Sequence, residues 1–206
     1  MQKLPHHGAG GPGLDGPAAG HPGGHPGGHP GGHPGAKPAG HPGGMITTLA
    51  DGTPACKLIA WEVTRSCNLA CKHCRAEAHL EPYEGELDTA EAKALIDTFP
   101  QVGNPIIIFT GGDPMMRADV YELIRYATDK GLRCVMSPNG TLITPDTARQ
   151  MRESGVQRCS ISIDGPDAES HDEFRGVQGA FDASMRGIQY LKDAGIEFQV
   201  NTTVTT

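Results

Sequence analysis

Three cysteines lie close together in the stretch WEVTRSCNLACKHCRAEA: Cys67, Cys71 and Cys74, in a C-x3-C-x2-C spacing straight after an apolar, β-like run. Three thiolates on one short loop can hold three irons of a four-iron cluster or three corners of a zinc tetrahedron. Either way one metal position stays open, and an open position is where a substrate or cofactor binds. Zinc would need a fourth ligand, for which His73 and His79 are the nearest candidates, but neither has paired-knuckle spacing. The other cysteines, Cys56, Cys134 and Cys159, are scattered. Cys134 and Cys159 alternate with apolar neighbours and are expected to be buried small hydrophobes. This usage is unlike the even framework of a secreted disulfide domain and points to metal chemistry in a reducing, cytoplasmic compartment.

Further chemistry-bearing residues recur at regular intervals. TGGDP (110–114) offers two glycines for close backbone approach and Asp113 to pair with a cation. SPNGT (137–141) offers Ser137 and Asn139 as hydrogen-bonding side chains, and SIDGP (162–166) carries Ser162 and Asp164. Asp164 suits a turn as well as it suits a ligand. HDEFRG adds Arg175, a fork that matches a carboxylate. Together they describe a site for a molecule with an amine, a carboxylate and hydroxyls.

The elements between them form a β/α series. Strands are expected at 57–63, 106–110, 132–137, 158–164 and 196–204, each rich in β-branched residues and bounded by Gly, Pro or Asn. Asp88 with Glu91 forms a capping box for a helix to about Phe99, and a helix from Asp119 to Lys130 stops at Gly131. Thr144-Pro145 opens a helix closed by Gly155, and Phe181 to Ala194 closes at Gly195. Helix following strand forces parallel strands with right-handed crossovers, either buried on both faces or curved into part of a barrel. Each unusual motif then falls on a loop after the carboxyl end of a strand, where reactive residues of such folds gather. The fold class is α/β, a partial parallel (β/α) barrel over 45–206 that stops after its fifth strand, so the chain reads as a fragment.

Composition bounds the partners. Formal net charge is -7 and cations are not clustered, which argues against nucleic acid. No apolar run approaches the roughly 18 to 20 residues that span a bilayer, so no membrane is expected. Residues 1–44 are mostly Gly, Pro and His, with His21, His25, His29 and His33 at a four-residue repeat and His41 beyond. Such a tail has almost nothing apolar to offset ordering entropy and is expected to be disordered, with affinity for a divalent metal.

In order and on their strands, CNLACKHC, GGDP, PNGT and SIDG followed by HDEFRG resemble the radical S-adenosylmethionine superfamily over about residues 56–206. The resemblance implies that Cys67, Cys71 and Cys74 hold a 4Fe-4S cluster whose fourth iron binds the amine and carboxylate of S-adenosylmethionine. It implies that the Gly111-Gly112-Asp113 turn holds the amino group, that Ser162 and Arg175 approach the carboxylate, and that Asn139 lies near the ribose. His73 stands at the cofactor where many members carry an aromatic, and Asp113 where many carry Glu. One electron through the cluster would cleave the sulfonium bond, and the 5'-deoxyadenosyl radical would abstract hydrogen from substrate.

Within the superfamily, WEVTRSCNLACKHCRAEA, FTGGDPMMR and HDEFRGVQGAFDASMRGI are most similar to the branch of alternative heme and heme d1 biosynthesis. That implies a tetrapyrrole substrate, with porphyrin propionates of iron-coproporphyrin III decarboxylated oxidatively to vinyls, or acetates removed from didecarboxysiroheme. Ferredoxin or flavodoxin would donate the electron, and a SPASM-type C-terminal portion after Thr206 would be the place for a second iron–sulfur cluster. Two alternatives stand beside this one: a peptide-modifying maturase with the same core motifs, and a non-catalytic metal binder acting through its His-rich tail.

Overall fold

The computed structural model describes residues 48–204; the expectation of a disordered tail over 1–44 lies outside the described residues. Five parallel strands, β1 (Leu58–Glu62), β2 (Ile106–Thr110), β3 (Arg133–Met136), β4 (Arg158–Ser162) and β5 (Glu197–Asn201), pair in chain order β1-β2-β3-β4-β5. The helices are α1 (Thr89–Thr98), α2 (Val120–Asp129), α3 (Pro145–Ser154), α4 (Ala168–Arg175) and α5 (Ala180–Asp193). Because every crossover turns the same way and each strand sits beside its predecessor, all helices fall on one face and the sheet is a partial barrel.

The burial pattern follows from that arrangement. Ile107 and Phe109 of β2, Cys134 and Met136 of β3, and Cys159 and Ile161 of β4 point outward and are fully buried. They lie in one core with Ile96 of α1, Leu123, Ile124 and Ala127 of α2, Met151 of α3 and Leu191 of α5. The alternate residues face the concave side and are only half-buried in β2, so the sheet is not covered equally on both faces. Burial raises the Cys134 thiol to about 11 and the Cys159 thiol to about 12. Both are core hydrophobes, as their alternation with apolar neighbours predicts.

Helix boundaries follow local chemistry. Asp88 accepts from Glu91 N at 2.9 Å while Glu91 returns the bond to Asp88 N at 2.9 Å, the reciprocal box expected at α1. α1 ends one residue early in a 3-10 turn, Phe99–Val102. α3 opens on Thr144 and stops at Gly155, in the left-handed region at φ +97°. One helix is absent from the sequence expectation: α4, between β4 and α5. Its buried residues are His171, Asp172 and Arg175, so it has no apolar stripe to betray it.

Candidate cluster and cofactor site

The loop that follows β1 carries the three cysteines and is closed at its neck by Cys67 N donating to His79 O at 2.8 Å. Cys67 is buried, and Cys71 and Cys74 are half-buried. All three line one cavity of about 430 Å³, together with His73, Gly111, Gly112, Asn139 and Arg175. The structure thus gathers residues from the loops after β1, β2 and β3 and from α4. Ser162 and Asp113 are not part of that lining. Ser162 ends β4 beside Asn201 of β5.

An N–H group reaches each sulfur. Leu69 N donates to Cys67 Sγ at 3.4 Å, Arg175 Nη1 to Cys71 Sγ at 3.5 Å, and Ala78 N to Cys74 Sγ at 3.5 Å. Burial pushes the Cys67 thiol up, with the Leu69 amide and the Asn139 side chain pulling the other way. Binding of a metal must therefore displace that proton. Among the described residues, no three His, Cys, Asp or Glu side chains converge as ligands of a single ion would. His73, one of the candidate zinc ligands, is exposed and stacks on Phe174 at 4.4 Å and 15°.

The glycine turn after β2 has a structural job beside the one its sequence suggests. A Cβ on Gly111 would sit 2.2 Å from Thr64 O, and one on Gly112 would sit 2.4 Å from Arg65 O and 2.5 Å from Ser66 O. The room that the glycines leave on that side is taken by the run-in to Cys67. Gly112 N donates to Thr64 O at 2.9 Å and Asp113 N to Ser66 O at 2.7 Å, zipping the two loops together. The rest of the glycine surface faces the cavity.

Asp113 and Asn139 extend that framework. Asp113 is fully buried, and its two oxygens accept from Met115 N at 2.8 Å and Asn139 N at 2.7 Å. Burial pushes its carboxyl up to about 6 even against these two amides. Its partners are backbone amides rather than a cation, so it joins the β2 loop to the β3 loop. Asn139 lines the cavity with its amide already engaged: Oδ1 accepts from Thr141 N and Oγ1, and Nδ2 donates to Asn68 Oδ1 at 2.8 Å. Asn68 in turn donates to Thr141 Oγ1 at 2.8 Å, closing a ring between the cysteine loop and the β3 loop.

Sequence reasoning missed Asn68 as a framework residue, although it sits inside the cysteine motif, and left Asp164 undecided. The Asp164 side chain is 1% exposed and lies 2.5 Å from Arg175 Nη2. Arg175 is 8% exposed, and its Nε is buried with no partner among the described residues. A buried guanidinium N–H without an acceptor is a place for a ligand oxygen.

A loop of three thiols thus stands at the mouth of a partial barrel, with a glycine turn beside it. The profile described as the Radical SAM superfamily matches residues 61–206. The chain belongs to that superfamily, whose cofactors are S-adenosylmethionine and a 4Fe-4S cluster. It is 84% identical over 158 residues to an AdoMet-dependent heme synthase of Nitratidesulfovibrio vulgaris, covering 77% of this chain and 43% of that one. An Fe-coproporphyrin III synthase of Methanosarcina barkeri is 45% identical over 147 residues, covering 71% of this chain and 37% of that one. This chain therefore spans less than half the length of these relatives. Among solved structures, Streptococcus suis SuiB bound to precursor peptide SuiA shares the fold at TM-score 0.62 and 18% identity, covering 74% of this chain and 34% of that one.

The site suits these groups on its own geometry. Three thiols with N–H donors at their sulfurs are outfitted for a thiolate-ligated cluster. The Arg175 guanidinium and the half-buried Gly111-Gly112 backbone, both lining the cavity, suit a ligand with a carboxylate and an amine.

Proposed function

We propose that the protein is a radical S-adenosylmethionine enzyme of alternative heme biosynthesis, acting on a tetrapyrrole by oxidative decarboxylation of iron-coproporphyrin III propionates to the vinyls of heme b. The observation that carries this reading is the 84% identity over 158 residues with an AdoMet-dependent heme synthase. The likeness to the peptide-bound structure, at 18% identity, speaks for the fold alone.

In this reading Cys67, Cys71 and Cys74 hold the cluster, Arg175 takes the carboxylate of S-adenosylmethionine, and the Gly111-Gly112-Asp113 turn takes its amino group through the backbone. Asn139 and His73 line the same cavity, and Ser162, at the end of β4 outside that lining, would reach the carboxylate only from beyond it. Cluster and S-adenosylmethionine together supply one-electron reductive cleavage and hydrogen abstraction. The chain's own residues orient the cofactor, with Cys67, Leu69 and Ala78 contributing apolar wall to the cavity. The electron comes from a ferredoxin or flavodoxin, and a second iron–sulfur cluster belongs to the portion of the enzyme that this chain does not span. The same proposal sets a domain boundary near residue 44, with a His-rich tail that takes up divalent metal, and a cytoplasmic location. Among the described residues no helix is long and apolar enough to cross a membrane.

The test is anaerobic. Full-length enzyme reconstituted with iron and sulfide should release carbon dioxide and 5'-deoxyadenosine from iron-coproporphyrin III, with vinyl products read by mass. Cys71→Ala should abolish the cluster and the products. If the loaded enzyme leaves that porphyrin and didecarboxysiroheme untouched yet modifies a peptide, the maturase reading replaces this one. If iron and sulfide never load and metal is taken up by the tail alone, the protein is a metal binder.

A further inference from the structure

Asp164 sits in the SIDG motif with no ligand role assigned to it, yet its side chain is only 1% exposed. Three residues from two parts of the fold hold it. Its Oδ1 accepts from Thr203 N at 2.7 Å, just past β5, and its own backbone N–H donates to His171 Nδ1 of α4 at 3.1 Å. Its Oδ2 lies 2.5 Å from Arg175 Nη2, off-line for a hydrogen bond, so the contact is an ion pair. A carboxylate fixed on two sides holds the guanidinium where it is, because an arginine that left would strand a buried charge.

The other arm of the same guanidinium is the one that matters. Arg175 Nη1 donates to Cys71 Sγ at 3.5 Å. The backbone around it is docked on the cysteine loop as well: Ala70 N donates to Arg175 O at 3.1 Å and Lys72 N to Phe174 O at 3.0 Å. Gly176, at φ +73°, lies so near that a Cβ there would stand 2.3 Å from Ala70 O. Among the described residues, the donors to Cys67 and Cys74 are neutral amides, and the donor to Cys71 alone carries a charge. The three thiolates are therefore not equivalent.

We propose that Asp164 is a positioning residue for the cluster site: it holds Arg175 so that one guanidinium nitrogen donates to the Cys71 thiolate and raises the reduction potential of the group bound there. Hydrogen bonds to the sulfurs and nearby charge are what set such potentials, since a positive charge favours the more negative, reduced state. Arg175 also lines the cavity, so one side chain couples cofactor binding to the electron that the reaction needs. The inference rests on Cys67, Cys71 and Cys74 holding the cluster and is independent of the tetrapyrrole substrate.

Two physical accounts of Asp164 predict opposite signs, which makes the test sharp. If Asp164 acted only through space, Asp164→Asn would remove a negative charge and raise the midpoint potential. If it acts by holding Arg175, the variant frees the guanidinium from Cys71 and lowers the potential. The experiment is a redox titration of the full-length reconstituted enzyme, without S-adenosylmethionine, followed by the spin signal of the reduced cluster. Arg175→Gln should shift the midpoint down, Asp164→Asn should shift it the same way by at least half as much, and the double variant should move no further than Arg175→Gln. Iron and sulfide content should match the wild type. Should Asp164→Asn fail to load, Asp164→Glu takes its place: it keeps the charge but displaces the carboxylate by a methylene, and a lowered midpoint supports the inference while an unchanged one overturns it. An unchanged midpoint in Arg175→Gln, or a raised one in Asp164→Asn, also overturns it. A wild type that never takes up iron and sulfide would instead sink the cluster assignment itself.

Discussion

Replacing Gly112 by alanine tests whether the glycine turn exists to admit the cysteine loop. The backbone at Gly112 has no left-handed φ, so the added methyl brings no conformational penalty and the whole effect is steric. That methyl would stand 2.4 Å from Arg65 O and 2.5 Å from Ser66 O. Both carbonyls must retreat by about 0.5 Å or more, which stretches the bonds from Gly112 N to Thr64 O and from Asp113 N to Ser66 O beyond the usual range. Two weakened backbone bonds at about 1 kcal/mol each, with overpacking of about 1 kcal/mol or more, give about 3 kcal/mol. For a chain of this size that lowers the melting temperature by about 6–12 °C. Ser66 carries Cys67 with it, so iron and sulfide uptake should fall too. Gly131→Ala is the control: nothing lies within 4 Å of its Cβ, so only the cost of its φ of +80° remains, about 1 kcal/mol. Melts of the metal-free chain and iron assays after reconstitution decide the matter. A Gly112→Ala protein that melts within 2 °C of wild type (well under the ~6 °C expected) and loads fully would refute the steric account.

Three further outcomes follow from the same structure. Asp113 holds its proton up to about 6 when folded, against an ordinary value of 3.8, so the folded chain binds more protons between these values and stability falls as pH rises through that window. Urea unfolding at several pH values should show about 3 kcal/mol of such slope, absent in Asp113→Asn; equal slopes would contradict it. Cys134 and Cys159, fully buried with raised thiols, should resist alkylation in the native metal-free chain while Cys71 and Cys74 react, as read by peptide mass. Asp88→Ala should remove the α1 capping box at a cost of about 1 kcal/mol and leave iron content unchanged.

The parts of the fold legible in the sequence are those with a local cause. Ile106–Thr110 is an unbroken β-branched and aromatic run before two glycines, and Asp88 with Glu91 or Thr144 with Pro145 announces a helix start without help from tertiary contacts. α4 was hidden because its inner face is His171, Asp172 and Arg175, which read as surface until Asp164 and Cys71 are placed beside them. The cysteine motif was legible as a candidate ligand set, but its surroundings were not. That Gly111 and Gly112 back onto Thr64–Ser66, or that Asn68 closes a ring with Asn139 and Thr141, depends on loops from different strands meeting in space. Spacing along the chain carries no trace of such meetings.

The docking of α4 on the cysteine loop also sets an order of events at the ribosome. Cys71 and its charged donor Arg175 are 104 residues apart in the chain, and Cys67 precedes Asn139 by 72. At about 5–20 residues per second, the thiols emerge about 5–20 s before the helix that shelters them has been made. Through that interval Cys71 lacks its charged donor, and the cysteine loop lacks the helix that docks on it, so the thiols are more open to solvent and to oxidants. A cell that makes this protein in the presence of oxygen therefore exposes the thiols during translation, before the finished fold can protect them.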